Sequence, residues 1–252
     1  MAELVLGFDI GGSSIKFAPV NTQTGIIEGE AQTVLLPQPA TPQALLVAIS
    51  AGLQSLNWTG PFGVGYPGVI KGGRTLSAAH LDKSFLGLDW LSDLRTLSPA
   101  LVALINDADA AGLAEVRFGG ARTFASPQSG TVLVATLGTG IGTALFHGGR
   151  LFPNTEFGHM QMGAREAEQW AAGAVRIREQ LDWPAYGQRV SLFLQQMDRL
   201  VSPDLIVLGG GVSENFAQFQ PYLRASCPIT NATLGNNAGL IGAALAVGLN
   251  TP

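Results

Sequence analysis

LVLGFDIGGSSIKFAPV, Leu4 to Val20, and TVLVATLGTGIGTALF, Thr131 to Phe146, carry one pattern twice: an apolar run, a polar residue, a glycine-containing turn and a second apolar run. In register, Asp9 meets Thr136, Gly11 meets Gly138 and Ser13 meets Gly140. Each stretch predicts a β-hairpin with a tight loop. Asp, Gly, Ser and Thr at such a turn leave backbone N–H groups and hydroxyls outside the strand ladder, free to approach a ligand, and phosphate is the ligand such loops commonly cradle. Two copies suggest two loops serving one polyphosphate chain. Either turn alone reads better as a hairpin that binds nothing. The repetition, with an acidic motif between the copies, favours phosphate.

Working outward, Asn21 to Gly25 reads as a turn, and Thr41 with Pro42 reads as the N-cap and first position of a helix running to about Leu56. FGVGYPGV from Phe62 predicts a strand ending in a Gly-Pro-Gly turn, and LVALIN, Leu101 to Asn106, a strand running straight into a helix from about Ala108. The second half repeats this order loosely. After the second hairpin come helical stretches over about Arg165–Gln180 and Pro184–Leu200, the strand DLIVLGG, a helix after Ser213 and an Ala-rich helix from Asn236. The natural architecture is a duplicated α/β unit with its ligand between the halves. Gly119 to Gly130 and Pro37 to Thr41 are the softest segments of the chain.

Composition narrows the function classes. The chain has 252 residues, 46% hydrophobic and 13% charged, which gives ample length for an apolar core and argues against disorder. With 14 basic and 18 acidic side chains the net charge is −4, so neither a nucleic-acid partner nor a membrane surface is expected. The start, MAELVLGFDIGG, has no basic leader and enters a strand at once, and no apolar stretch is long enough to span a bilayer, so a cytoplasmic location is expected. Cys227 is the single cysteine, which rules out internal disulfides and a cysteine-based metal cluster.

Three constellations carry chemistry. In NDADAAGLAE, Asn106 to Glu115, a strand delivers Asn106 and Asp107 to its C-terminal end, where α/β folds place their ligands. The positive end of the following helix favours an ionised Asp107, which can accept a proton from an attacking hydroxyl that Asn106 orients. The alternative makes Asp107 or Asp109 a helix-capping residue. In NTEFGH, Asn154 to His159, Glu156 and His159 offer an acceptor and a switchable donor suited to the hydroxyls of a polyol, or else form a surface pair. With no cysteine nearby, zinc on His159 is not expected. Glu168 reads most simply as a solvated helix residue. In LIVLGGGVSEN, Leu205 to Asn215, three glycines let a ligand approach backbone at a helix N-terminus. That spacing is no dinucleotide fingerprint, and the chain holds neither a Walker sequence nor the catalytic loop of a protein kinase.

DIGGSSIK, GYPG, SAAHLDKSF, NDADAAGLAE, TLGTGIGTALF, PNTEFGH and LGGGVSEN occur in the order found in the ROK group of sugar kinases, and the chain resembles its polyphosphate glucokinase branch from Val5 to about Gly248. The resemblance implies an α/β, actin-like ATPase fold with a ribonuclease-H-like core: a smaller domain over 1–106, joined by the C-terminal helix 236–252, a larger one over 107–235, and a cleft that closes on a hexose. Carried over, Asp107 is the catalytic base, and Asn106, Glu156, His159 and Glu168 contact the sugar. Asp9, Gly11, Gly12, Ser13, Lys16, Lys83, Gly138, Thr139 and Gly140 serve the donor phosphates, with Gly210 and Gly211 at the nucleotide or distal phosphates. The implied partners are glucose and polyphosphate or ATP, Mg2+ arrives with the donor, and a homodimer is expected. The chain departs from the family at Met160–Glu168, which lacks the usual cysteine-rich zinc cluster, so no structural zinc is expected. His80 stands where Asn is usual, Phe85 where Trp is, and Ser14 replaces a glycine.

A strictly ATP-dependent hexose kinase acting on glucose or mannose is the alternative within this chemistry. A sugar-responsive repressor shares the fold but needs a helix-turn-helix ahead of the first hairpin, which here starts by Leu4. A filament-forming actin-like protein is disfavoured by the Asn106–Asp107 and Glu156–His159 pairs.

Overall fold

The structure is a computed structural model describing residues 4–122, 124 and 130–249; part of the Gly119–Gly130 segment lies outside them. The chain forms two compact units, Met1–Ala114 with Asn237–Pro252, and Glu115–Asn236.

The first unit opens with the expected hairpin, β1 (Leu4–Ile10) and β2 (Ser14–Asn21), in which Asp9 lies opposite Lys16 and Ile10 opposite Ile15. With β3 (Gln32–Leu35), β4 (Phe62–Tyr66) and β7 (Val102–Asn106) it makes a five-stranded sheet of order β3-β2-β1-β4-β7. β1, β4 and β7 run parallel, while β5 (Ile70–Lys71) and β6 (Arg74–Thr75) form a small separate ribbon. Leu6, Phe8 and Ile10 project to one face, where Phe17, Phe62, Val64, Tyr66, Phe85 and Trp90 bury with α1 (Pro42–Ser55) and α2 (Trp90–Arg95). The Thr41 hydroxyl accepts from the Ala44 N–H at 3.3 Å, as expected of the N-cap. On the opposite face lies the C-terminal helix α8 (Ala238–Leu249), packed flush on the strands. A Cβ on Gly7 or Gly63 would strike the carbonyls of Leu240 or Ala243, so only glycine admits the helix this close. Burial on both faces explains why these strands read as nearly continuous apolar runs.

The second unit repeats the topology. β8 (Thr131–Leu137) and β9 (Ile141–His147) form the second hairpin, and with β10 (Arg150–Phe152), β13 (Leu205–Gly209) and β14 (Ile229–Asn231) they make a sheet of order β10-β9-β8-β13-β14, the same pattern strand for strand. Its core gathers Leu133, Leu137, Ile206 and Leu208 against Tyr186, Phe193 and Met197 of α6 (Trp183–Val201).

Two expected helices are broken. The stretch from Arg165 to Gln180 is β12 (Arg165–Glu166), paired with β11 (Gln161–Met162), then α4 (Ala167–Ala171) and α5 (Gly173–Arg178). The cause is tertiary: at the break the Ala174 N–H donates to the Gly138 carbonyl at 3.0 Å, and Gly173 passes so close to that turn that a Cβ would meet the Gly138 oxygen at 3.2 Å. The helix after Ser213 is only α7 (Phe216–Phe219) between single 3-10 turns, and Pro221 ends it. Among the described residues no helix is long and apolar enough to cross a membrane.

Candidate active site

In the first unit the turn Gly11–Ser13 is closed by the Gly11 N–H donating to the Ser14 carbonyl at 2.9 Å, which leaves Gly12 and Ser13 exposed. Beside it, burial pushes the Asp9 carboxyl up to about 6, opposed by the cross-strand Lys16 ammonium. Gly65 on β4 brings Asp9 and Asp107 together: a Cβ there would lie 3.6 Å from Asp9 Oδ1 and 3.8 Å from the Asp107 Cα. His80 overlies the turn, its Cδ2 3.7 Å from where a Cβ on Gly12 would be. Lys83 is exposed in a 3-10 turn capped by Asp82, whose Oδ1 accepts from the Ser84 N–H at 2.8 Å. Phe85, next but one, packs against Tyr66 and Trp90 with ring centroids 5.3 and 5.1 Å away, and is a core residue.

β7 delivers Asn106 and Asp107 to its C-terminal end and runs directly into α3 (Asp107–Arg117). Asn106, only 6% exposed, performs the capping: its Oδ1 accepts from the Asp109 N–H at 3.0 Å while its Nδ2 donates to the Gly68 carbonyl at 3.1 Å. The side chain thereby ties the Tyr66-Pro67-Gly68 turn to the start of α3. Asp107 is half-buried, with Oδ1 accepting from the Ala108 N–H at 2.8 Å. That contact sets the carboxyl at the N-terminal, positive end of the α3 dipole.

In the second unit the turn Gly138–Gly140 is closed in the same way, by the Gly138 N–H on the Gly140 carbonyl at 3.0 Å. Gly210, at φ 80°, sits against the Leu137 backbone, where a Cβ would come within 2.6 Å of the carbonyl oxygen. Both its conformation and its contact require glycine. Gly211 opens onto free space beside it. Glu168, in the first turn of α4, lays its carboxylate on this turn, with Oε2 2.5 Å from the place of a Cβ on Gly140.

Glu156 and His159 follow β9 at a fixed distance because two buried threonines pin the chain: Thr155 Oγ1 donates to the Thr143 carbonyl at 2.8 Å, and Thr143 Oγ1 donates back to the Thr155 carbonyl at 2.6 Å. Gly158 then passes so near the Ile141 carbonyl that no side chain fits. Around the His159 ring stand Glu166 Oε2, 3.0 Å from Nδ1, Glu156 Oε2, 3.8 Å from Nε2, and Glu168 Oε1, 3.9 Å from Nδ1. Chiefly through the Glu166 hydrogen bond, with the other carboxylates adding and burial opposing, the imidazole pKa is raised. Burial raises that of Glu156, with His159 opposing and Glu168 adding. Ligand atoms of His159, Glu166 and Glu168 lie within 4.8 Å of one another, a spacing a divalent cation also accepts.

The sequence-expected residues thus fall into two groups. Asp9, Gly11–Ser13, Lys16, Lys83, Asn106 and Asp107 lie in the first unit, and Gly138–Gly140, Glu156, His159, Glu168, Gly210 and Gly211 in the second. Sequence reasoning missed Gly65, Glu166 and Glu115. Glu115 is 1% exposed, and its carboxylate accepts from the N–H groups of Gly120 at 2.7 Å, Leu234 at 2.9 Å and Thr233 at 3.1 Å. Its place at the end of NDADAAGLAE is the only trace in the sequence.

The ROK family model matches residues 5–175. A protein of Mycobacterium tuberculosis (strain CDC 1551 / Oshkosh) named polyphosphate glucokinase is 42% identical over 241 residues, covering 95% of this chain and 89% of its own. The crystal structure of an inorganic polyphosphate/ATP-glucomannokinase from Arthrobacter sp. strain KM superposes with a TM-score of 0.90 at 39% identity, covering 98% of this chain and 99% of that one. A ROK family glucokinase from Streptomyces griseus, solved with glucose and AMPPNP, has a TM-score of 0.81 at 23% identity over 96% of this chain and 98% of its own, and bears on the fold alone. The fold is the α/β, two-domain actin-like ATPase fold that these neighbours share.

Proposed function

The chain belongs to the ROK family, and from that premise we propose that it transfers a phosphoryl group from inorganic polyphosphate, with ATP as a second donor, to the 6-hydroxyl of glucose. The observation that carries this reading is the 42% identity, along 95% of the chain, to a protein named polyphosphate glucokinase. On this reading each step has its residues. Asp107, at the start of α3, takes the proton of the 6-hydroxyl as the oxygen attacks the terminal phosphorus and the bond to the rest of the donor breaks. Asn106, held by its cap, and Glu156, His159 and Glu168 position the sugar. The Gly11–Ser13 and Gly138–Gly140 turns, with Lys16 and Lys83, receive the donor phosphates, and Gly210–Gly211 the nucleotide or the distal chain. Mg2+, arriving with the donor, would supply neutralisation of the phosphate charge. The enzyme on this reading is a cytoplasmic homodimer.

The name of the Arthrobacter structure favours a second reading, with mannose accepted beside glucose. Asp107→Asn tests the chemistry itself. The amide oxygen still accepts from the Ala108 N–H, so α3 starts as before, but no proton acceptor remains. Turnover should fall by a factor on the order of 10² to 10⁴ with glucose KM and melting temperature unchanged. Near-normal turnover would remove Asp107 from the role.

A further inference from the structure

His159 ends a single 3-10 turn with its side chain 57% exposed, so polar contacts rather than packing must orient the ring. Its shortest contact is Nδ1 to Glu166 Oε2 at 3.0 Å. An ionised carboxylate only accepts, so this contact places a proton on Nδ1 and turns Nε2 toward Glu156, 3.8 Å away. Glu166 reaches the ring because the chain doubles back. β11 and β12 pair Gln161 with Glu166, the connecting turn passes Gly163 at φ 69°, and the Ala167 N–H closes the hairpin on the Met160 carbonyl at 2.8 Å.

We propose that Glu166 is the positioning residue of His159, holding Nδ1–H so that the ring plane is fixed and Nε2 is the atom presented to a glucose hydroxyl beside Glu156. This rests on the reading of His159 as a sugar ligand. The 3.8 Å between Nε2 and Glu156 is too long for a direct hydrogen bond, and a hydroxyl between them can contact both. Without Glu166 the ring would sample rotamers, and fixing it would fall to the sugar, weakening glucose binding and leaving the donor unaffected.

Steady-state kinetics on Glu166→Ala, Glu166→Gln, His159→Ala and the His159→Ala/Glu166→Ala pair test this. Glu166→Ala should raise glucose KM on the order of tenfold, with polyphosphate KM and kcat within about twofold. Glu166→Gln keeps an acceptor oxygen for Nδ1–H and should recover most of the loss, which also covers the chance that alanine disturbs the start of α4. Adding Glu166→Ala to His159→Ala should change nothing further, because a residue acting only through His159 has no target left. The proposal is overturned if Glu166→Ala leaves glucose KM unchanged while His159→Ala raises it, or if Glu166→Ala is equally damaging without His159. If His159→Ala itself leaves glucose KM unchanged, the sugar-ligand reading fails and the proposal falls with it.

Discussion

Asp9 holds its place beside the first turn at a cost in stability. Its folded pKa, about 6, lies above the ordinary carboxylate value near 4, so the native state binds more protons than the unfolded chain between these values. Stability therefore falls as pH rises through that window, and the penalty, at most about 3 kcal/mol, is complete above it. Asp9→Asn removes the penalty. Denaturant melts should show the variant more stable than the wild type at pH 8 and no more stable at pH 4, while its phosphoryl transfer is impaired. Equal stability differences at the two pH values would show that Asp9 is not the group responsible.

At the scale of elements, α3 runs from Asp107, the proposed base, to a buried anchor. It begins with Asp107, and Glu115 near its other end accepts from three backbone N–H groups, two of them on the 233–234 loop. Glu115→Ala would orphan these donors and should destabilise the protein by about 2–4 kcal/mol, whereas Glu115→Gln, which keeps an oxygen, should cost less. A melting temperature unchanged in both variants would contradict that account. Such anchors were not legible in the sequence, because Glu115 meets partners more than a hundred positions away. The hairpins were legible, since Gly11 and Gly138 interrupt apolar runs, as was α1, announced by Thr41 and Pro42. The stretch 165–180 misled because it has helical composition, and only Gly173 marks the break that the Gly138 carbonyl imposes. Glu166 stayed hidden because the two-residue strands bringing it to His159 are too short to show a period. Asn106 was read as a neighbour that orients the attacking hydroxyl, but its capping bond to Asp109 emerges only from the helix geometry.

For the whole molecule, the repeated strand order gives each unit one glycine turn, and the resemblance to polyphosphate-using relatives covers nearly the entire chain. A net charge of −4 sets the overall field against a polyanion, so polyphosphate must be held by local cations and backbone N–H groups. Contacts made by exposed cations such as Lys83 are screened by salt, and a long chain that meets more of them loses more than ATP does. Lys83→Ala should accordingly lower catalytic efficiency with polyphosphate more than with ATP. The most direct measurement follows glucose 6-phosphate formation by the purified wild-type protein with Mg2+, glucose and either polyphosphate or ATP, at low and raised salt. The account predicts higher catalytic efficiency with polyphosphate at low salt and a steeper decline of that activity as salt rises; product from ATP alone, or ATP the more efficient donor at low salt, would contradict it.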